Sequence, residues 1–228
     1  MRGARGRARV SEPVTLGLTT AGSVAAAVLR DASEFALTSE RQALGGALRC
    51  VSGVLDAAGI ELEDVDQLCV CIGPGSFTGL RIGVALMKSI AQAREAPVAG
   101  VSAYDVADFA LAAVLPRAAI VAGKRDYFYA RIRRAADAAP EHVRGSAEAL
   151  SEALQGMERA NLADVRADEQ ALRVARIGRR MFGAGEAGDW RRITIDYGQR
   201  PNAALNWEVR EGAARRGGSY GPSKSIDE

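Results

Sequence analysis

The sequence predicts an α/β fold, and three observations carry the prediction. Short apolar runs with extended character alternate with longer runs spaced i, i+3, i+4, in the order βββ-α-β-α-β-α-ββ. One short run, Leu68–Ile72, ends in a glycine-rich turn that opens directly into a helical run. Apolar residues make up 48% of 228 positions, ample for a core.

The elements follow in order. Val14–Thr19, Val24–Arg30 and Glu34–Thr38 read as strands, with a hairpin turn at Thr20-Ala21-Gly22-Ser23. Ser39 is placed as the N-cap of a helix whose apolar face is Leu44, Ala47, Leu48, Val51, Val54, Leu55 and Ala58, and Gly59 stops it. Leu68–Ile72 is apolar on both faces, which suits a central strand. A helix from about Thr78 to Glu95 follows, then a strand at Val98–Val101. Ser102 caps a helix to about Leu115. Ala118–Ala122 and Tyr127–Arg133 pair as a hairpin. Ser146 caps a helix to about Ala160, a further helix runs from Asp168 to Phe182, and Ile193–Tyr197 reads as a short strand.

Bulk properties exclude several classes. A net charge of +2 gives no global nucleic-acid signal. No apolar run reaches the roughly 18 residues of a membrane span. The basic start MRGARGRARV lacks an apolar segment, so no secretory signal is expected. Three cysteines, Cys50, Cys69 and Cys71, fit neither a disulfide scaffold nor a four-ligand zinc site, and a reduced cytoplasmic protein is expected. The arginines of residues 1–12 read as a disordered tail or as an RNA-contacting arm.

Gly73-Pro74-Gly75-Ser76-Phe77-Thr78-Gly79-Leu80-Arg81-Ile82-Gly83 is the most informative stretch. Glycine and proline specify a tight turn, and Ser76 or Thr78 is placed to cap the helix behind it. Strand, glycine turn and helix N-terminus together suit an anion. Close packing of strand and helix explains the same glycines, and spacing does not choose between the two. The helix has two apolar stripes: Leu80, Val84, Met87 and Ala91, and Ile82, Ala85, Leu86, Ser89, Ile90 and Ala93. Two stripes imply burial on two sides, by this chain or by another. Gly79 and Gly83, four apart, suit a close helix contact. So do Gly45, Gly46 and Gly53 on the preceding helix, unless they are neutral.

The run Gly73–Ala107, GPGSFTGLRIGVALMKSIAQAREAPVAGVSAYDVA, closely resembles the TsaB (YeaZ) family, a subunit of the bacterial machinery that makes threonylcarbamoyladenosine in tRNA. Weaker matches at Ser39-Glu40, Ala119–Tyr129, Ala171–Gly185 and Tyr197…Arg200-Pro201 extend the resemblance over most of the chain. It implies the actin-like ATPase fold, shared with Hsp70 and sugar kinases, in degenerate form. The division expected is a basic tail at 1–12, subdomains at 13–115 and 116–210, and a disordered tail at 211–228. The resemblance also implies a non-catalytic scaffold that pairs with the paralogue TsaD through helices at about 40–58 and 78–95. That carries the partner contact onto Leu44, Gly45, Arg49, Gly53, Gly79, Ile82, Gly83, Leu86 and Ile90. A TsaE-like ATPase and a homodimer are further expected partners, with tRNA contacted indirectly and no membrane. Thr19, Gly73, Gly75 and Ser76 are candidate residual nucleotide contacts. No metal site and no nucleotide on the isolated chain are expected, with ATP or ADP a candidate within the complex.

The sequence departs from the family pattern in places. An LDTS-like run reads Leu18-Thr19-Thr20-Ala21, a histidine is replaced by Thr38, and a DAR-like run by Ala122-Gly123-Lys124. Two carboxylates that would position Mg²⁺ and water are absent. The alternative is a free-standing ATPase, or a metal-dependent transferase or peptidase, of the same fold. A single histidine, His142, in a polar stretch that reads as a surface loop, argues against a paired-histidine metal centre and against a histidine-based triad. Near-neutral charge and 5% aromatic residues argue against RNA binding as the main activity.

Overall fold

The computed structural model describes residues 12–40, 44–123 and 126–198. The architecture below belongs to the compact unit that ends at Tyr197. Its first sheet has five strands: β1 (Thr15–Thr19), β2 (Val24–Arg30), β3 (Ser33–Ser39), β4 (Gln67–Gly73) and β5 (Val98–Ser102), in the order β3-β2-β1-β4-β5. β1 runs antiparallel to β2, which runs antiparallel to β3, while β1, β4 and β5 are parallel.

Strand alternation sorts the side chains onto two faces. Leu16, Leu18, Ala26, Val28, Leu68 and Val70 face α1 (Leu44–Ala58) and α2 (Phe77–Arg94), meeting Ala47, Val54, Val84 and Met87. The other face is small: Gly17, Ala25, Ala27, Cys69 and Cys71. It packs against α5 (Ala167–Gly183) through Ala171, Val174 and Ile177, and against α3 (Ala103–Ala107). The three cysteines are free and buried. Burial raises the Cys71 thiol to about 11 and pushes Cys69 up further, so both stay protonated.

The second sheet contains β6 (Arg117–Ala122), β7 (Tyr127–Arg133), β8 (Glu141–Ser146) and β9 (Glu158–Asn161), in the order β8-β7-β6-β9. α4 (Ala147–Ala153) covers one face, where Leu150 and Leu154 meet Ala118, Ala130 and Ile132. α3 links the two sheets by charge. Asp108 receives Arg117 Nε at 2.8 Å, and Arg131 lies 2.5 Å from Asp105 and 3.5 Å from Asp108.

Several expectations need correction. Ser39 ends β3 rather than capping α1, whose described part starts at Leu44. The helix capped by Ser102 stops at Ala107 and gives way to a 3-10 turn, Phe109–Leu111. The helix capped by Ser146 stops at Ala153, and β9 follows it. Residues 193–197 form no strand; Asp196 N–H donates to Ile72 O at 2.8 Å. His142 lies on β8, not in a loop. The Arg200-Pro201 match, Lys124 and the tails at 1–11 and 211–228 lie outside the described residues.

A chelating ion pair ties α5 to the outer edge of the first sheet. Arg176 Nη2 lies 2.5 Å from Glu34 Oε2 and its Nε 3.0 Å from Oε1. The hydrogen bonds from Arg176 hold the Glu34 carboxyl below its ordinary value of 4.5. A depressed carboxylate contributes stability above its unfolded pKa and loses it as pH falls through the folded one. Glu34→Gln will therefore cost up to about 1 kcal/mol at neutral pH, the range for a largely exposed pair. Below 4.5 the difference from the wild type will fade. Urea unfolding at both pH values measures it, and a cost that grows on acidification would contradict the assignment.

Candidate functional site

The glycine turn sits where β4 hands the chain to α2, and the chain itself fills it. Gly73 and Gly75 have φ of +107° and +158°, and Gly73–Pro74 is cis. Ser76 caps α2 by accepting from the Gly79 N–H at 3.3 Å. Ser76 N–H donates to Ala21 O at 2.5 Å, so the β1–β2 turn occupies the helix start. A Cβ on Gly75 would lie 2.5 Å from Ala21 O, one on Gly73 would meet Asp196 O, and one on Gly79 would meet Thr20 O. Phe77 and Tyr197 stack with ring centres 5.0 Å apart, closing the turn from the other side.

Of the candidate nucleotide contacts, Gly73, Gly75 and Ser76 come together. Thr19 does not join them as a solvent-facing group: it is buried on β1, on the face it shares with Cys71. A phosphate does not fit this arrangement, because protein atoms hold the places around Gly75 and Gly79 and two of the donors are engaged. The glycines let the Thr20–Ala21 turn lie directly on α2.

The expected partner residues divide into two groups. Gly79 and Gly83 turn inward onto Thr20, whose side chain sits where a Gly83 Cβ would be. Gly53 faces Leu37 of β3, 2.8 Å from the position of its would-be Cβ. Gly79 and Gly83 are buried against the chain itself, and Gly53 is half-buried against β3. Leu44, Gly45 and Arg49 are exposed on α1, and Ile82, Leu86 and Ile90 are half-buried on α2. Leu44 and Leu48 are 50% and 47% exposed, high for leucines one helical turn apart, and sequence reasoning assigned Leu48 to the core face. The second stripe of α2 is thus only half covered, by α1 and by Trp190 and Ile193. Lys88 pins that cover by donating to Ile193 O at 3.1 Å and sitting over the Trp190 ring.

His142 is exposed, with its ring edge-on to Tyr104 at 5.4 Å. Among the described residues no three His, Cys, Asp or Glu side chains converge as metal ligands. Tyr104 is buried beneath Arg131, and its hydroxyl is pushed well above the ordinary phenol range by burial and by Asp196.

Residues 39–182 match the TsaD family model, tRNA N6-adenosine threonylcarbamoyltransferase. The chain belongs to that family. Its curated relatives include the tRNA threonylcarbamoyladenosine biosynthesis protein TsaB of Escherichia coli, 42% identical over 55 residues, 24% of each chain. TsaB of Bacillus subtilis is 36% identical over 59 residues, 26% of each chain. The matched stretch thus spans about a quarter of these relatives' length. YeaZ from Pseudomonas aeruginosa superposes with a TM-score of 0.65 at 20% identity, covering 81% of this chain and 99% of that one. The TsaB (YeaZ) resemblance read from the glycine motif holds, and the fold is the actin-like ATPase fold of the TsaD family. No described helix is long and apolar enough to cross a membrane.

Proposed function

We propose that this TsaD-family chain acts in tRNA threonylcarbamoyladenosine biosynthesis as a non-catalytic subunit. In this reading α1 and α2 pair with a TsaD-like paralogue, which performs the transfer. The observation that carries it is the apolar surface left on those helices, exposed at Leu44 and Leu48 and half-covered at Ile82, Leu86 and Ile90. Helices that bury one stripe against their own sheet and leave large aliphatics of a second only partly covered suit a helical partner. The self-filled glycine turn supports the non-catalytic half, since it leaves the chain without a phosphate cradle of its own. A TsaE-like ATPase, a homodimer through the same helices and a cytoplasmic setting belong to the same proposal.

Leu48→Asp and Leu86→Asp test it. Each charge would have to be desolvated at the centre of the contact, so capture of the TsaD-like protein should weaken by about thirtyfold or more. Because both positions are partly exposed, the thermal midpoint should move little. Undiminished capture by both variants removes these helices from the interface. ATP turnover by the isolated chain that vanishes in Ser76→Ala would overturn the non-catalytic reading.

A further inference from the structure

The second sheet has a half-bare face on which arginines outnumber acids: Asp105 and Asp108 are bound to Arg131 and Arg117, and Asp196 lies by Tyr104 and Tyr129. Register sets Tyr129 opposite Arg144, Arg131 opposite His142 and Tyr127 opposite Ser146. These side chains share the face away from α4, because Phe128 and Val143, one position off, pack beneath it. α3 covers the β6 side of this face, over Ala119 and Val121. The β7–β8 side stays open: His142 and Arg144 are exposed, and Tyr127 and Arg133 are half-buried.

Charge on the open side is unbalanced. Asp105, the nearest acid of α3, is already bound to Arg131. Among the described residues neither Arg133 nor Arg144 has an ion-pair partner, and the Arg133 Nε, shielded from solvent, has no hydrogen-bond acceptor. By register the order along this face is Tyr127, then Tyr129 beside Arg144, then His142 beside Arg131, then Arg133. Tyr127 and Tyr129 meet edge-on at 5.8 Å, and His142 meets Tyr104 in the same way. Tyr129 and Tyr104 are buried, so the rings within reach of a flat partner are the exposed His142 and the half-buried Tyr127.

We propose that the β7–β8 half-sheet is a contact for single-stranded RNA, with bases stacking on Tyr127 and His142 and phosphates held by Arg133 and Arg144. Cations beside aromatic rings on an open sheet match an unpaired strand, which offers both charge and exposed bases. A duplex offers charge alone. An acidic protein surface would use the arginines and leave the rings idle. The inference rests on the reading that the chain works in tRNA modification, and it gives this subunit a direct RNA contact in place of the indirect one expected from sequence.

The test is anisotropy of a labelled RNA stem-loop, and of the same stem fully paired, titrated with the full-length chain at several salt concentrations. Arg133→Gln/Arg144→Gln should weaken stem-loop binding at least tenfold and flatten the salt dependence by about 1.4 in log–log slope, about 0.7 per phosphate contact on a single strand. Tyr127→Ala should weaken the stem-loop about tenfold and leave the paired stem unchanged. The arginines of residues 1–12 are common to all variants and cancel in the comparison. Circular dichroism confirms that each variant is folded, and Arg144→Gln alone, at an exposed position, serves if the double variant is not. Unchanged stem-loop binding in the arginine variants overturns the proposal, as does equal weakening of stem-loop and duplex by Tyr127→Ala. Capture of the TsaD-like partner is measured on the same samples. Wild-type RNA binding without capture sinks the subunit reading and leaves the RNA contact standing; capture without RNA binding does the reverse.

Discussion

Gly17→Val will lower the unfolding free energy by about 3 kcal/mol, the upper end of the range for overpacking a core. Gly17 sits at the middle of β1, and a Cβ there would lie 2.9 Å from Ala171 O and from Ala175 N and Cβ. Two of those three atoms belong to the backbone of α5, which cannot turn aside as a side-chain tip can. To admit valine the whole helix must lift from the sheet, and the Ala25, Ala27 and Ala171 contacts go with it. At a few degrees per kcal/mol for a chain of this size, the thermal midpoint should fall by about 6–12 °C. Gly22→Ala is the control, since nothing lies within 4 Å of its would-be Cβ. Equal midpoints for Gly17→Val and wild type would mean that α5 does not rest on β1 as described.

Asp108→Ala has a comparable expected cost for a different reason. The Asp108 side chain is 5% exposed, and those of its partners Arg117 and Arg131 are 11% and 7% exposed. Removing the carboxylate strands two buried guanidiniums, which costs about 3–5 kcal/mol where a buried pair is broken from one side. Arg131 retains Asp105, and Arg117 retains the carbonyls of Ala112 and Val114, which places the value toward the lower end. Asp108→Leu combined with Arg131→Met should recover part of the loss, because one stranded cation is removed with its anion. Urea unfolding of the two single variants and the double variant measures the coupling. Additive costs would show that the two groups do not act together.

The first five strands were legible because each combines apolar content with a clear stop. β8 and β9 were not. Glu-His-Val-Arg-Gly-Ser and Glu-Arg-Ala-Asn have almost no apolar alternation, because both are edge strands with one side open to water. Ile193, Ile195 and Tyr197 alternate as a strand would, yet that segment pairs with no described strand and is tied to β4 through the Asp196 N–H bond to Ile72 O. Of the candidate site, the capping role of Ser76, the polar side of Arg49 and the second α2 stripe of Ile82, Leu86 and Ile90 could be read from spacing, whereas Leu44, placed on the apolar face, is half exposed. The inward use of Gly79 and Gly83 could not. A glycine on a helix announces a close neighbour but not which one, and here the neighbour is Thr20, some sixty positions earlier in the chain. His142 reads as a loop residue until β8 aligns it opposite Arg131.

The placement of α5 bears on synthesis. The first sheet is assembled from residues 15–102, but the helix that roofs its small-residue face is residues 167–183. A ribosome must therefore finish the second sheet before the first is covered on both sides. Until then Ala25, Ala27, Cys69 and Cys71 face water, and a fragment ending near residue 115 has the strands of a folded protein without its lid. Such a fragment would be a client for chaperones, because the cover of its small-residue face lies in the second half of the chain.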